Sequence, residues 1–252
     1  MARRERRGAA MTVCLVLLWP ALMVLTRRRW SGQEHLPRSG GFVLVANHIS
    51  HADPFLFAHF VHDSGYAPHF LAKASVIELP LVGRLLRAAG QIAVHRETDN
   101  ASRAYREAVQ AVGSGQSVIV YPEGTLTRDP DLWPMRGKTG AARIGLESGR
   151  PIIPAAQWGA HEILPPYSRR VRLFPRRLNQ VLVGPPVDLS DLRDQPITVE
   201  LLRLATDRIM TTVAGLLGQL RDETPPAELL DPRGTQAPRI GDPRRPRQEP
   251  RP

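Results

Sequence analysis

Apolar and polar positions alternate along this chain in two patterns. Short apolar runs bounded by Gly and Pro predict buried strands, and apolar residues recurring every three or four positions predict helices. The predicted strands are Phe42–Ala46, 90–96, Ser117–Val120, 151–155, 171–174 and 180–184. The predicted helices are 56–61, 79–89, 100–112, 138–147 and 197–220. Strands that alternate with helices indicate an α/β sandwich around a largely parallel or mixed central sheet.

The first apolar segment differs from the others because it is uncharged and lies between arginines. Residues 8–26 contain no charged side chain. As a helix this segment would be ~28 Å long, close to the ~30 Å of a bilayer core, and Pro20 would kink it. The alternatives are a cleaved signal peptide, a single span and a helix in one leaflet. A signal peptide is disfavoured because three arginines, 27–29, replace the small-residue cleavage site. We expect a membrane-embedded anchor over residues 1–30.

The net charge of +10 is unevenly distributed. Residues 1–30 carry seven Arg and one Glu, residues 223–252 carry six Arg and five acidic residues, and residues 31–222 carry 21 basic and 18 acidic residues. This central part has no large excess of positive charge and no motif of a nucleic-acid-binding domain. The basic N-terminal segment suits an anionic membrane surface. Residues 223–252, rich in Pro and Arg, lack apolar periodicity and are predicted to be disordered.

The loop after the first predicted strand carries the main candidate chemistry. It reads NHISHADP, so that His48 and Asp53 are five positions apart. A carboxylate that binds one ring nitrogen of a histidine fixes its tautomer, and the other nitrogen can then deprotonate a hydroxyl. A surface hydrogen bond or turn is one alternative, and a metal site built on His48, His51 and Asp53 is another. Metal binding is disfavoured because no second ligand cluster follows and the one cysteine, Cys14, lies in the apolar segment.

Two other functional classes lack their sequence motifs. No G-x-S-x-G string is present, which an α/β serine hydrolase would use for its nucleophile. Neither a P-loop nor a G-x-G-x-x-G string is present, which a nucleotide-binding protein would use for phosphate. The histidine loop is therefore the strongest catalytic candidate.

Three further blocks follow the histidine loop in order. They read GQIAVHR, ending at Arg96, then YPEGT, ending at Thr125, and then PIIPA at 151–155. Together with H-x4-D, they resemble the four ordered blocks of the 1-acyl-sn-glycerol-3-phosphate acyltransferase family, within the glycerolipid acyltransferases. The resemblance covers residues 42–158, about half of the chain. From the residues alone, Arg96 could equally be a solvated strand-end charge, and the PEG string could be a simple turn.

The resemblance implies a role for each block. His48 would be the general base that takes the proton from the acceptor hydroxyl, and Asp53 would orient it. The acceptor oxygen would attack the thioester carbonyl of acyl-CoA or acyl-carrier protein, a co-substrate, so no cofactor and no metal are expected. Arg96 would bind the acceptor phosphate with its planar, permanently charged fork. The acceptor pocket would be shaped by Glu123, Gly124 and Thr125.

The third block departs from the family pattern at one position. The family continues Glu-Gly-Thr-Arg-Ser, with the arginine facing the acceptor phosphate, whereas this chain has Leu126. Arg128 is the nearest cation that could replace it, and Lys73, Arg136 and Lys138 are the other candidates. Lys73 resembles a basic residue that many relatives carry between the first two blocks. Alternatively, the acceptor headgroup differs from that of lysophosphatidic acid.

The resemblance implies an acyltransferase that acylates the free hydroxyl of 1-acyl-sn-glycerol 3-phosphate and gives phosphatidic acid for phospholipid synthesis. The alternatives are another acceptor, such as a different lysophospholipid, glycerol 3-phosphate or a glycolipid, and a catalytically silent lipid-binding relative. We expect the acyltransferase domain at residues 31–222, on the cytoplasmic face of the cell membrane, where acyl thioesters are made. The expected partners are a membrane lipid, the acyl donor and an anionic membrane surface, without nucleic acid.

Overall fold

A computed structural model of the chain describes residues 8–94 and 100–232. The strands are β1 (Thr26–Ser31), β2 (Phe42–Ala46), β3 (His69–Lys73), β4 (Ile92–Val94), β5 (Ser117–Val120), β6 (Ile152–Trp158) and β7 (Arg177–Val183). The helices are α1 (Ala9–Leu25), α2 (Asp53–Asp63), α3 (Ala74–Ile77), α4 (Pro80–Ala88), α5 (Asn100–Gly113), α6 (Gly140–Ser148), α7 (Ala160–Ile163) and α8 (Val199–Arg221).

The strands form one mixed sheet in the order β1-β7-β6-β2-β5-β3-β4. Strands β6, β2, β5, β3 and β4 are parallel, β7 is antiparallel to β6, and β1 is parallel to β7. The predicted α/β fold with a mixed sheet is therefore confirmed. Because Val45 of β2 pairs with Val120 of β5, the loops that follow these two strands leave the same edge of the sheet side by side. Such an edge is where active sites collect in α/β folds.

The central strands β2 and β5 are buried along their whole length. Val43 and Val45 face a cluster that includes residues of α5, α6 and α8, whereas Phe42 and Leu44 face a cluster that includes residues of α2. A parallel strand covered on both faces is apolar at every position. This explains why both strands match the sequence prediction to the residue.

Other predictions need correction. The predicted helices are present, with ends shifted by a few residues. The strand predicted at 171–174 is absent, and Val171 and Phe174 are 57% and 76% exposed. Strands β1 and β3 were not predicted. Strand β1 reads TRRRWS, which lacks apolar alternation because it is an edge strand whose arginines are exposed.

The N-terminal segment differs from the predicted anchor at its end. Residues 26–31 belong to the sheet, where β1 pairs with β7, so the anchor cannot extend to residue 30. The preceding helix α1 has 17 residues, includes Pro20, and contacts α2 and α4. No helix within residues 8–94 and 100–232 is long and apolar enough to cross a membrane.

The C-terminal segment, predicted to be disordered from residue 223, is described as far as residue 232. Its described part contacts the body of the protein. The backbone N–H of Arg136 donates to the carbonyl of Leu230 at 2.9 Å, and the Arg136 guanidinium lies 3.4 Å from the carboxylate of Asp231. Leu230 and Asp231 are thus in contact with Arg136, and residues 233–252 lie outside the described residues.

Candidate active site

The loop between β2 and α2 brings His48 and Asp53 together. The Nδ1 atom of His48 lies 2.8 Å from Oδ2 of Asp53. Because a carboxylate only accepts, Nδ1 carries the proton in this pair, which leaves the lone pair on Nε2. Asp53 is the first residue of α2, and Pro54 follows it in the first turn, where a missing N–H costs no helical hydrogen bond.

The two side chains of this pair differ in their exposure to solvent. The Asp53 side chain is fully buried, whereas the His48 side chain is 15% exposed. The Oδ2 atom of Asp53 also accepts the backbone N–H groups of Ile49, at 2.6 Å, and Ser50, at 2.8 Å. A buried carboxylate needs such donors to offset its lost hydration. The donors also hold the carboxylate in place, so that it orients the histidine ring.

Glu123 holds the backbone of the histidine loop. Its Oε1 accepts the His48 N–H at 2.9 Å, and its Oε2 accepts the Met135 N–H at 3.0 Å. Burial raises the pKa of Glu123 to about 8, although both N–H groups act in the opposite direction. The Thr127 N–H donates to the His48 carbonyl at 2.7 Å. Glu123 and Thr127 thus bind the backbone N–H and the carbonyl of His48, a role that the sequence did not indicate.

Tyr121 was part of a sequence motif but was not predicted to have a role of its own. Its ring stacks on the His48 imidazole, with centroids 4.3 Å apart and planes 13° apart. Burial raises the pKa of the Tyr121 hydroxyl well above its usual value, so the ring stays neutral. Tyr121 therefore limits the orientations that the imidazole can adopt.

A second unpredicted contact fixes the start of the histidine loop. The Asn47 side chain accepts the Gln157 N–H at 2.8 Å and donates to the Gln157 carbonyl at 3.0 Å. The Gln157 side chain donates in turn to the Asn47 carbonyl at 2.8 Å. These buried bonds join the end of β2 to β6. An Asn directly before the histidine was the only signal in the sequence.

A cavity of about 110 Å³ lies at the carboxyl ends of β3, β4 and β5. Three of the residues lining it, Tyr121, Pro122 and Gly124, belong to the third block, and the Tyr121 ring also stacks on His48. Lys73, at the end of β3, and Lys138, just before α6, line it as well. The cavity thus adjoins the histidine and carries two cationic side chains.

The other residues that the sequence predicted to bind substrate are not all found at this cavity. Arg96 lies outside the described residues. Thr125 is half-buried, and so is Arg128, whose Nε and Nη2 atoms are buried without a hydrogen-bond partner among the described residues. Arg128 does not line the cavity. Leu126 is only 2% exposed and belongs to the core.

The metal alternative concerns the same loop. Across residues 8–94 and 100–232, no group of three or more His, Cys, Asp or Glu side chains is arranged to hold a metal ion. His51, which that site would need, is exposed.

The region that contains this site is similar to known acyltransferases. The family model described as Acyltransferase matches residues 27–158. A 1-acyl-sn-glycerol-3-phosphate acyltransferase of Borreliella burgdorferi is 29% identical over 132 residues, which are 52% of this chain and 51% of the relative. One of Limnanthes douglasii is 32% identical over 162 residues, which are 64% of this chain and 54% of the relative. The chain thus spans about half the length of these curated relatives.

The fold is similar to that of a solved structure. The crystal structure of the 1-acyl-sn-glycerophosphate (LPA) acyltransferase, PlsC, from Thermotoga maritima matches with a TM-score of 0.64. The match covers 86% of this chain and 81% of that chain at 24% identity. At this identity the similarity concerns the fold alone.

Proposed function

The chain belongs to the acyltransferase family, and on that premise we propose that it is an O-acyltransferase that acylates 1-acyl-sn-glycerol 3-phosphate to phosphatidic acid. The observation that carries the proposal is the His48–Asp53 pair, in which a buried carboxylate 2.8 Å from Nδ1 leaves Nε2 of a partly exposed ring available. The relatives named for this reaction support the choice of acceptor. The adjoining cavity with two lysines supports an anionic acceptor.

The proposed reaction is a direct transfer of the acyl group from a thioester to a hydroxyl, which forms an oxygen ester. His48 Nε2 takes the proton of the acceptor hydroxyl while the acceptor oxygen attacks the thioester carbonyl carbon. The C–S bond then breaks, and the leaving thiolate takes the proton from the imidazolium. Asp53 stabilises the imidazolium formed in between and keeps the ring in the correct tautomer. The products are the new ester and a free thiol, without a covalent enzyme intermediate.

The donor and the location are part of the proposal. Acyl-CoA or acyl-carrier protein supplies the acyl group, and the reaction takes place on the cytoplasmic face of the cell membrane without a further cofactor. Helix α1 supports a membrane attachment because its described side chains include exposed large apolar ones, namely Val13, Val16, Leu18 and Val24. The arginines of β1 follow directly and suit anionic headgroups.

A different acceptor is the second candidate. It is favoured by Leu126, whose burial leaves no cation at the position where the family pattern has an arginine. Another lysophospholipid, glycerol 3-phosphate or a glycolipid hydroxyl would then receive the acyl group.

An assay of thiol release against a panel of acceptors tests the proposal. Purified full-length protein is given acyl-CoA or acyl-carrier protein with each acceptor, and the lipid product is identified by mass spectrometry. We expect the highest kcat/KM with 1-acyl-sn-glycerol 3-phosphate, with phosphatidic acid as product. Thiol release without an acylated lipid, or no release with any acceptor, would contradict the proposed function.

Flotation with anionic vesicles tests the attachment. Removing residues 1–25 deletes α1 and retains β1, whereas a deletion through residue 30 would also remove most of an edge strand. We expect the shortened protein to float several-fold less, because it has lost α1 with its exposed apolar side chains. Equal flotation of both proteins would place the attachment elsewhere on the protein.

A further inference from the structure

Both lysines of this chain line the same cavity. The chain has 34 basic residues, of which 32 are Arg and only Lys73 and Lys138 are Lys. The two lysines are far apart in sequence, yet both line the cavity of about 110 Å³ that adjoins Tyr121 and His48. An ammonium is a compact point charge, whereas a guanidinium is a wide planar fork. Lysine at these two positions, in a chain that otherwise uses arginine, indicates a small site that needs compact positive charge.

Lys138 is held against the loop of the third block. Its backbone N–H donates to the Pro122 carbonyl at 2.8 Å. Its side chain lies across Gly124, since a Cβ added there would be 3.1 Å from Nζ, 3.2 Å from Cε and 3.3 Å from Cδ of Lys138. Gly124 also has a φ of 69°, which disfavours a side chain at that position. The ammonium of Lys138 thus lies beside Gly124, the residue that follows Glu123. Glu123 in turn accepts the backbone N–H of His48.

The third block itself contributes no cation to this cavity within the described residues. The Leu126 side chain is buried in the core, and its carbonyl accepts the Tyr167 hydroxyl at 3.4 Å. Arg128 does not line the cavity. Among the described residues, Lys138 therefore brings positive charge beside the Glu123 loop, and Lys73 brings it to the same cavity from the end of β3.

We propose that Lys138, together with Lys73, binds the phosphate monoester of the acceptor and selects it over a choline phosphodiester. The inference rests on the proposed function and specifies its acceptor. A monoester carries close to two negative charges at neutral pH, which two ammonium groups match, whereas a phosphodiester carries one. Two lysines also repel the quaternary ammonium of a choline headgroup. The described walls nearby, which include Leu71, Val94 and Tyr105, offer it no carboxylate.

Steady-state kinetics of Lys138→Met and Lys73→Met test this inference. Methionine keeps the length of the side chain and removes its charge. We expect each variant to raise the acceptor KM for 1-acyl-sn-glycerol 3-phosphate about 10- to 100-fold, with kcat and the donor KM little changed. Because the acceptor KM rises, the ratio of kcat/KM for this acceptor to kcat/KM for lysophosphatidylcholine with the same acyl chain should fall in each variant.

Arg143→Met is the matched control. It removes one positive charge from α6, close to Lys138 in sequence, but the Arg143 guanidinium pairs with Glu147 at 3.0 Å. We expect it to keep the parental KM and the parental acceptor preference. A similar loss in this variant would mean that the effect is one of net charge, and the assignment to Lys138 would be overturned.

Thermal unfolding with inorganic phosphate gives a readout that does not need activity. We expect phosphate to raise the Tm of the parent and of Arg143→Met, and to raise that of Lys138→Met much less. If the parent is active and Lys138→Met keeps its acceptor KM, the inference is overturned while the proposed function stands. If the parent acylates no acceptor, the proposed function fails. The phosphate-induced Tm shift then decides the site: its loss in Lys138→Met supports the inference, and its persistence overturns it.

Discussion

The histidine loop and the lysine cavity lie next to each other but are built in different ways. The geometry of the loop comes from neighbours in sequence, because Asp53 Oδ2 meets groups of His48, Ile49 and Ser50. The cavity is assembled from the ends of β3, β4 and β5 and from the start of α6. A local arrangement is encoded in a short motif, whereas a distributed one depends on strand order and helix placement. On the proposed function, the catalytic groups would come from the motif, and the groups that select the acceptor would come from the fold.

The largest expected effect concerns the local region. We expect His48→Ala to lower kcat about 100-fold or more with little change in Tm, because a glycerol hydroxyl is too weak an acid to attack unaided. Asp53→Asn should lower kcat nearly as far, since the amide favours the wrong tautomer. Acyl transfer by purified protein measures both. His51→Ala is the control within the same loop and should stay near the parental kcat.

That control also separates the two explanations of the loop. Parental activity in His48→Ala would refute its role as the base. Inactivation by a chelator with rescue by zinc, together with a strong effect of His51→Ala, would favour the metal alternative.

The same contrast explains what the sequence could and could not predict. The five-residue spacing of His48 and Asp53 is visible in the sequence, and the structure places the two side chains in contact. The role of Glu123 was missed because its partner, the His48 N–H, depends on the pairing of β2 with β5. Lys138 could be named only as one of several cations, since its place depends on α6. Its rarity among the basic residues was the unused signal.

The β1 edge of the sheet was also harder to predict than its centre. Strands β2 and β5 are buried on both faces, so an apolar run predicts each of them. Strand β1 is at the sheet edge and carries three arginines, which resemble the flank of a membrane segment in sequence. The apolar residues at 171–174 predicted a strand, but Val171 and Phe174 are exposed. Apolar character indicates a strand only where the fold covers it.

Glu123 joins the two regions, and its replacement gives the next largest effect. In Glu123→Gln one of the two N–H donors, of His48 or Met135, would face an amide NH₂ in place of an oxygen. A buried donor left unsatisfied costs about 1–3 kcal/mol, so we expect the free energy of unfolding to fall by that amount at pH 4, where Glu123 is protonated in both the folded and the unfolded chain. Urea denaturation measures it. Glu147→Gln, which alters a surface pair with Arg143, is the control and should change little.

The pH dependence of this stability has a definite sign. Burial raises the pKa of Glu123 to about 8, from 4.5 for the ordinary side chain. The folded state therefore holds the proton more tightly than the unfolded chain. The contribution of Glu123 to stability is fully present below pH 4.5 and is lost as the pH rises towards 8. The free energy of unfolding of the parent, relative to Glu123→Gln, should fall between pH 5 and pH 8, and a rise over this interval would refute the raised pKa.

The smallest expected effect comes from replacing Gly124. It distinguishes displacement of Lys138 in the cavity from the general cost of backbone strain. Gly124 and Gly149 both have positive φ, 69° and 63°, so alanine at either position costs about 1–2 kcal/mol of stability. A Cβ at Gly124 would press on Lys138, whereas a Cβ at Gly149 meets nothing within 4 Å. We expect Gly124→Ala to raise the acceptor KM about tenfold, by the displacement of Lys138, and Gly149→Ala to leave it unchanged. Equal KM values in two equally destabilised variants would show that the position of Lys138 does not control acceptor binding. A rise only in Gly124→Ala would show that the acceptor site extends from the local motif into the fold around it.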